Sequence, residues 1–332
     1  MRGVKAHAYW TTGPGQGEIR PVTLSPPAPD EVMVRTHYSA ISRGTESLVH
    51  QHAVPESIRI SMRAPFQEGD LPGPVKYGYL TAGVVEEGPP DLLGQRVFCL
   101  HPHQTRFVVP AGAVVPIPDD VPTPRALLAG AVETAINGLW DAAPRIGDRV
   151  AVVGLGMIGG SAAALLARFP LGRLQAVDVD PERAALAAQL GVDLVSPDQA
   201  TGDCDVVLHC SATEAGLATA LQLAGDDADV VELSWYGSRT PRVPLGAAFH
   251  ARRLTLRSSQ VGAVSAARRA RRSTTERLAL ALQTLSDPRF DALLSGTSDF
   301  AELPEVIDQI AAGDRAALCH LIRYPEEEPC SV

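Results

Sequence analysis

The stretch VAVVGLGMIGG, residues 150–160, decides how this chain folds. Four apolar residues typical of a buried strand run directly into a glycine-rich turn, and small residues typical of a closely packed helix follow. Gly154 allows the tight turn, Gly156 lets a phosphate group approach the backbone, and Gly159 lets the helix lie close to the sheet. The stretch therefore predicts a dinucleotide-binding turn.

The second half of this fingerprint follows the next predicted strand. The helix that starts with Met157 and Ile158 would present unpaired amide groups to the phosphates. Asp178 comes 19 positions after Gly159, where its carboxylate can accept hydrogen bonds from both ribose hydroxyls and would repel a 2′-phosphate. This favours NAD(H). Arg183 could instead receive a 2′-phosphate, so NADP(H) is the less favoured alternative, and a glycine-rich turn in another α/β fold is a further one.

Strands and helices alternate from residue 149 onward, which is the signature of βαβ units around a parallel sheet. The predicted strands are Arg149–Val153, Leu174–Val179, Val206–His209, Val230–Leu233 and Leu254–Ser258. The predicted helices between them are Ile158–Arg168, Pro181–Leu190 and Ala215–Leu223. The expected α/β fold is a doubly wound parallel sheet of the Rossmann type.

The first 122 residues have a different texture, with short β-like runs broken by proline and glycine. A proline-dense segment at 117–124 marks the expected domain boundary, and an Ala/Leu-rich helix is predicted over Arg125–Trp140. The last predicted elements are Thr274–Leu285 and Leu303–Ala312, both helical, and a strand at Ala317–Arg323. We expect residues 1–122 and 264–332 to form a β-rich domain, and residues 123–263 to form the dinucleotide domain.

Composition narrows the class of protein. The chain has 332 residues, 45% of them apolar, which is enough for two well-formed cores. A formal charge of −9 gives no general attraction to nucleic acid or to an anionic membrane. The five cysteines form no CxxC pair, the start lacks an apolar signal segment, and no apolar run approaches a membrane span. We expect a protein of the reducing cytoplasm without nucleic-acid or membrane partners.

These motifs together resemble the medium-chain dehydrogenase/reductase superfamily, the alcohol-dehydrogenase-like enzymes. The segment GDRVAVVGLGMIG, residues 147–159, resembles the start of the cofactor domain, and RFVVPA with VPIPDDVP, at 106–111 and 115–122, resembles the end of the catalytic domain. The resemblance implies a β-rich, GroES-like catalytic domain beside the Rossmann domain, an active site in the cleft between them, and pairing into homodimers.

The zinc-dependent branch of this superfamily carries its catalytic ligands at three places. Here the cysteine-containing turn reads SRGTE at 42–46, the Gly-His-Glu motif reads GYL at 78–80, and the third place, near 130–133, lacks cysteine and histidine. The clustered cysteines of the structural zinc lobe are absent. Zinc needs about three protein ligands, and although Glu46 and Glu133 could supply oxygens, no histidine or cysteine pair accompanies them. The resemblance therefore implies a member that works without zinc.

Without zinc, side-chain donors must stabilise the developing alkoxide. Tyr79 stands where that branch has its histidine, and it is the first candidate for the proton donor; the alternative is a packed tyrosine. Thr45 matches the hydroxyl of the family's proton relay, and it also fits a helix N-cap followed by Glu46. Arg43 could supply the positive charge of the missing metal, or it could be a solvated or paired arginine.

Two histidines flank a proline in CLHPHQ, residues 99–104. Because imidazole titrates near neutrality, His101 and His103 are candidates for acid/base work. A hydrogen-bonded pair at the surface is the alternative, and two donors are too few for a metal site.

The resemblance adds contacts on the cofactor side. Thr134 resembles a threonine that packs on nicotinamide. Ligands of open α/β sheets bind at the carboxyl ends of strands. The candidate contacts at those ends are Cys210, Ser211, Ser234 and Gln260. Arginine runs at 252–253 and 268–272 could attract an anionic substrate, or they could form a solvated helix face.

The sequence thus predicts an NAD-dependent, zinc-independent oxidoreductase that acts on a secondary alcohol or ketone of a small molecule, one candidate for which is an anion. A zinc-less quinone or enoyl reductase using NAD(P)H is one alternative. A dinucleotide-binding sensor or structural protein that has lost catalysis is the other.

Overall fold

The computed structural model describes residues 3–325, so Cys330 lies outside the described residues. The chain divides into two compact units, one of Met1–Gly130 with Leu294–Val332 and the other of Ala131–Leu293. The division differs from the expected one at two segments. Residues 123–130 belong to the first unit and residues 264–293 to the second.

The elements are named here in chain order. The strands are β1 (Val4–Gly13), β2 (Gln16–Leu24), β3 (Glu31–Ser42), β4 (Glu68–Gly69), β5 (Val75–Lys76), β6 (Thr81–Glu87), β7 (Arg96–Cys99), β8 (Arg106–Pro110), β9 (Val114–Pro116), β10 (Arg149–Val153), β11 (Arg173–Val177), β12 (Asp193–Val195), β13 (Cys204–His209), β14 (Ala224–Glu232), β15 (Thr255–Ser258), β16 (Leu294–Asp299) and β17 (Cys319–Arg323). The helices are α1 (Arg43–His50), α2 (Thr123–Ala126), α3 (Ala129–Ala142), α4 (Met157–Leu166), α5 (Ala184–Leu190), α6 (Glu214–Leu223), α7 (Thr274–Thr284) and α8 (Leu303–Ala312). Short 3₁₀ helices lie at Glu56–Ile58, Ala111–Ala113, Pro181–Arg183, Pro288–Leu293 and Phe300–Glu302, and a kinked π-helical turn lies at Leu245–Phe249.

The second unit is built on a six-stranded sheet in the order β12-β11-β10-β13-β14-β15, with every neighbouring pair parallel. The strand order reverses at β10, as in a doubly wound Rossmann sheet, and the predicted fold class is confirmed. β10 has the predicted bounds because its five residues are almost entirely buried. The three-residue strand β12 was not predicted, because it is too short and too exposed to show a periodic pattern.

The first unit contains two sheets. One has the order β16-β17-β3-β6-β7-β9, with β8 also paired to β3, and the other has the order β2-β1-β5-β4. The end of the chain returns to this unit as predicted, since β17 pairs antiparallel with β3 and places Cys319 opposite Ser42. The long strand β3 runs directly into α1, which fixes where α1 begins.

The segment 264–293 joins the second unit because its side chains pack there. Arg277 on α7 donates hydrogen bonds to Glu133 and Asn137 on α3. Leu293 lies against α4 at Gly160, where a Cβ would come within 2.5 Å of Leu293 Cδ2. Within residues 3–325, no helix combines the length and the apolar character needed to cross a membrane.

Candidate functional site

The glycine-rich turn leaves open space at the end of β10. Gly154 has a φ of +96°, which favours glycine, and a Cβ on Gly159 would lie 1.9 Å from Gly154 O. A Cβ on Gly156 would meet nothing within 4 Å, so this is where a ligand can approach the backbone. No side chain caps α4, and the amides of Met157 and Ile158 in its first turn are of the kind that bind phosphate.

Asp178 is held beside this turn. Its Oδ2 accepts a 2.6 Å hydrogen bond from Leu155 N, and its Oδ1 accepts one of 3.0 Å from Asp180 N. Arg183 is ion-paired, with its Nε 3.2 Å from Asp180 Oδ2. Val179, which follows Asp178, is 83% exposed and offers an apolar surface. A negative charge therefore lies next to the turn, and Arg183 is already paired with another carboxylate.

The ends of β13 and β14 carry a buried polar cluster. His209 is fully buried, with Nδ1 2.7 Å from Glu232 Oε2 and Nε2 2.7 Å from Ser211 Oγ. Ser211 packs against the turn, since a Cβ on Gly154 would lie 2.7 Å from Ser211 Cα. The sequence motifs did not single out His209 and Glu232. The signal that could have identified them is that a histidine and a glutamate are the last residues of two neighbouring strands.

The other predicted contacts at these strand ends are held by local bonds. Ser234 Oγ accepts from Ala212 N at 3.0 Å, and Gln260 Oε1 accepts from Gly262 N at 2.7 Å. Cys210 packs near Gly159, and burial raises the pKa of its thiol. These side chains shape the edge of the sheet.

Thr134 is half-buried in the second turn of α3, next to Glu133. Burial raises the pKa of the Glu133 carboxyl, and Arg277 opposes that shift. The two charges are 3.0 Å apart, and both side chains are buried.

In the first unit, the predicted reactive turn is the start of α1. Ser42 is its N-cap residue, not Thr45, because β3 continues up to Ser42. Ser42 N donates to Glu46 Oε1 at 2.7 Å, while Ser42 Oγ accepts a 2.7 Å hydrogen bond from the hydroxyl of Tyr79. Thr45 lies in the first turn, near enough to Tyr79 to lower the pKa of its phenol. Burial, followed by the negative charge of Glu46, raises the pKa of Tyr79 to about 12.

His103 lies behind this turn. It is 1% exposed, so the expectation of a surface histidine is wrong. Its Nε2 donates to Glu46 Oε2 at 2.8 Å, and its Nδ1 lies 2.7 Å from Ser39 Oγ. Ser39 Oγ is in turn 3.0 Å from the buried hydroxyl of Tyr324. A continuous buried network therefore supports Glu46, and through it the backbone of Ser42.

His101 does not join this network. Its ring stacks on Phe107 with the centroids 3.9 Å apart and on Phe66 at 5.7 Å, while Nδ1 donates to Pro102 O at 2.9 Å. Burial, followed by the charge of Lys76, lowers the pKa of His101 to about 3. His101 is therefore neutral and packed at neutral pH, and it is unsuited to the acid/base role predicted for it.

Arg43 is exposed at the start of α1 and forms no ion pair within residues 3–325. Of the five predicted catalytic residues, the structure brings together Tyr79 and Thr45. His103 supports them through Glu46. Ser42, the hydroxyl partner of Tyr79, was not among the predicted catalytic residues.

Comparison with known proteins gives partial sequence matches and a whole-chain structural match. No family model matches the chain. It is 34% identical over 121 residues to an L-threonine 3-dehydrogenase of Rhizobium rhizogenes, covering 35% of this chain and 33% of that protein. It is 33% identical over 141 residues to the uncharacterized zinc-type alcohol dehydrogenase-like protein YphC of Escherichia coli, covering 39% and 40%. The matches therefore span about a third of the first relative's length and two-fifths of the second's.

The fold extends the likeness to nearly the whole chain. The crystal structure of L-idonate 5-dehydrogenase from Escherichia coli superposes with a TM-score of 0.79 at 17% identity, covering 96% of this chain and 98% of that one. The chain therefore has the fold of these dehydrogenases, and about a third of its sequence is similar to theirs. This confirms the resemblance seen in the sequence motifs.

The residues at the three places where the resemblance implies zinc ligands have partners within the protein. Ser42 and Tyr79 bond to each other, and Glu133 is paired with Arg277. The carboxylate of Glu46 accepts hydrogen bonds from Ser42 N and from His103 Nε2. Within residues 3–325, no three His, Cys, Asp or Glu side chains are grouped to hold a metal ion.

The glycine-rich turn and its surroundings fit a dinucleotide. The open space at Gly156, the first turn of α4 and the carboxylate of Asp178 lie at the carboxyl ends of β10 and β11. Of the arginine runs, Arg253 is paired with Asp227, whereas the arginines at 268–272 are exposed.

Proposed function

We propose that this protein is an NAD(H)-dependent oxidoreductase that interconverts a secondary alcohol and a ketone of a small molecule without zinc. The observation that carries the proposal is the 2.7 Å hydrogen bond from Tyr79 to Ser42. By the resemblance, this phenol and this hydroxyl stand at two places where the zinc branch has metal ligands. Tyr79 is the proton donor in this proposal, and Thr45 and Ser42 are its hydroxyl partners.

The proton chemistry follows from the raised pKa of Tyr79. With a pKa of about 12, the phenol stays protonated at neutral pH and can donate to a ketone oxygen as negative charge develops there. Ser42 accepts a hydrogen bond from the phenol and Thr45 lies in the same turn, so either hydroxyl can return a proton to Tyr79. Nicotinamide, when bound, supplies or accepts the hydride. His103 acts at a distance, by holding Glu46 and therefore the start of α1.

The choice of NAD(H) over NADP(H) is supported by two charges. Asp178 places a carboxylate where the ribose hydroxyls would bind, which disfavours a 2′-phosphate. Arg183, the cation best placed to receive that phosphate, is paired with Asp180. The alternative of an NADPH-dependent quinone or enoyl reductase is disfavoured by the same charges.

Independence from zinc is part of the proposal, and it departs from the name of one relative, which is called zinc-type. The support is chemical. A neutral serine and a neutral tyrosine are poor zinc ligands, and Glu133 would have to leave a buried arginine to bind a metal. No step in the proposed chemistry passes through a metal.

A substrate screen tests the proposal. The purified protein is assayed for NADH consumption with ketones and for NADH formation with secondary alcohols and polyols, including anionic ones, after its metal content has been measured. Turnover without bound zinc is the expected result. Tight NADH binding with no turnover of any alcohol or ketone would favour the non-catalytic sensor instead. The homodimer and the cytoplasmic location stay predictions.

A further inference from the structure

Arg277 lies buried beneath the loop that follows β15. Its side chain is 1% exposed. Nε donates to Glu133 Oε1 at 3.0 Å, and Nη1 donates to Asn137 Oδ1 at 2.5 Å and to Ala263 O at 3.2 Å. Nη2 donates to Val261 O. One guanidinium therefore joins two side chains of α3 to two carbonyls of the loop.

Helix α3 holds the same loop at three further points. Asn137 Oδ1 also accepts from Ser265 N at 2.9 Å, and Asn137 Nδ2 reaches Gln260 O at 3.5 Å. Ser259 Oγ donates to Asp141 Oδ2 at 2.6 Å. The loop 259–265 is thus fixed along its length, although most of its residues are outside the hydrophobic core.

The order of the strands indicates which part of the dinucleotide this loop would border. The glycine-rich turn follows β10, and Asp178 follows β11, so the adenosine ribose belongs on the β11 side. The strand order reverses at β10, and the nicotinamide half therefore extends over β13, β14 and β15. The loop after β15 is at the end of that path.

We propose that Arg277 is a positioning residue for the nicotinamide half of the bound dinucleotide. It acts through the backbone of Val261 and Ala263 and does not touch the ligand itself. A loop orients a ligand well only when its backbone is held to within about half an ångström, and the forked guanidinium supplies that restraint. This inference rests on the proposed NAD(H) dependence.

A lysine variant removes the fork and keeps the charge. Arg277→Lys can still pair with Glu133, so the buried carboxylate keeps a partner, but one ammonium cannot reach Val261 O, Ala263 O and Asn137 together. Asn137→Ala removes the second anchor of the loop independently. The matched control is Arg149→Lys, because Arg149 pairs with Asp205 at the opposite, amino end of β10.

The test compares NADH with ADP-ribose, which lacks nicotinamide, by titration calorimetry on the full chain. We expect Arg277→Lys and Asn137→Ala to raise the Kd for NADH about ten-fold and to leave the Kd for ADP-ribose within about two-fold. Circular dichroism establishes that each variant is folded. Arg149→Lys should leave both constants unchanged.

Equal weakening of NADH and ADP-ribose in the Arg277→Lys variant would show a purely structural role and overturn the inference. Unchanged NADH binding would overturn it as well. In both cases the proposed function survives, since the unmodified chain still binds NADH. Failure of the unmodified chain to bind NADH would overturn the proposed function, and the inference with it.

Discussion

The hydroxyl of Tyr79 donates a 2.7 Å hydrogen bond to the hydroxyl of Ser42, so the residues at two zinc-ligand places of this superfamily satisfy each other. The pair lies at the start of α1, where Glu46 and His103 hold the backbone of Ser42 from behind.

Replacing Tyr79 with phenylalanine removes the proposed proton donor and keeps the ring. Turnover should fall about ten-fold or more because no phenol stabilises the alkoxide, while the Kd for NADH is unchanged. Steady-state kinetics and NADH titration measure the two effects. Tyr77→Phe is the control, because the Tyr77 hydroxyl hydrogen-bonds Met62 O, at 3.4 Å, and has no part in the proposed chemistry. A similar loss of turnover in both variants would assign Tyr79 to packing.

Freeing Arg183 should weaken the preference for NADH over NADPH. Asp180→Ser removes the ion pair to Arg183, and serine can still accept from Glu182 N as Asp180 does. The ratio of the two Kd values should move about ten-fold toward NADPH, because the released guanidinium can bind the 2′-phosphate. Fluorescence titration with both dinucleotides gives the ratio. A chain that prefers NADPH before any substitution would contradict the role given to Asp178.

Zinc content separates the proposed chemistry from that of the zinc branch. Elemental analysis of protein purified without chelator should find well under one zinc per chain. The double variant with Ser42→Cys and Tyr79→His should still bind zinc weakly, because about three ligands are needed and Glu133 stays with Arg277. Stoichiometric zinc in the unmodified protein, lost together with activity on chelation, would refute the metal-free mechanism.

His101 should make the folded state sensitive to acid. Its pKa is lowered to about 3 in the folded state, so only the unfolded chain gains this proton between about pH 6.5 and pH 3. This contribution to stability is complete above pH 6.5 and is lost as the pH falls. Between pH 7 and pH 5 the loss should be about 2 kcal/mol.

Urea unfolding at several pH values measures this loss. His101→Phe keeps a ring between Phe66 and Phe107 and should flatten the dependence on pH. His7→Gln, which removes an exposed histidine, is the control and should leave the dependence as it is. An unchanged slope in the His101→Phe variant would mean that other groups cause the acid sensitivity.

Much of the fold could be predicted because local patterns carry it. β10 and α8 have the predicted bounds, and α4, α6 and α7 differ from prediction by one or two residues. The predicted helix Arg125–Trp140 is instead two helices, α2 and α3. The second domain boundary was predicted at residue 264 but lies at residue 294, for a different reason. Arg277 binds to Glu133 and Asn137 from 140 or more positions away, and no local pattern reveals such a contact.

The candidate site divides in the same way. The glycine-rich turn and Asp178 were recognisable from the sequence, because their expected roles depend on residue types at short, fixed spacings. The different roles of His101 and His103 could not be predicted, because two histidines separated by one proline have the same chemistry in solution. Packing makes one a ring between two phenylalanines and the other a hydrogen-bonded partner of Glu46.

The sequence by itself determined the Rossmann unit, the resemblance to the superfamily and the lack of cysteine and histidine at 42–46, 78–80 and 130–133, because these depend on residue type, order and spacing. Only the tertiary structure decided what fills those places. Tyr79 and Ser42 are 37 positions apart, and Glu133 and Arg277 are 144 apart. Their bonds exist because β3, β6 and the helices bring distant side chains within hydrogen-bonding distance, which a linear pattern does not encode.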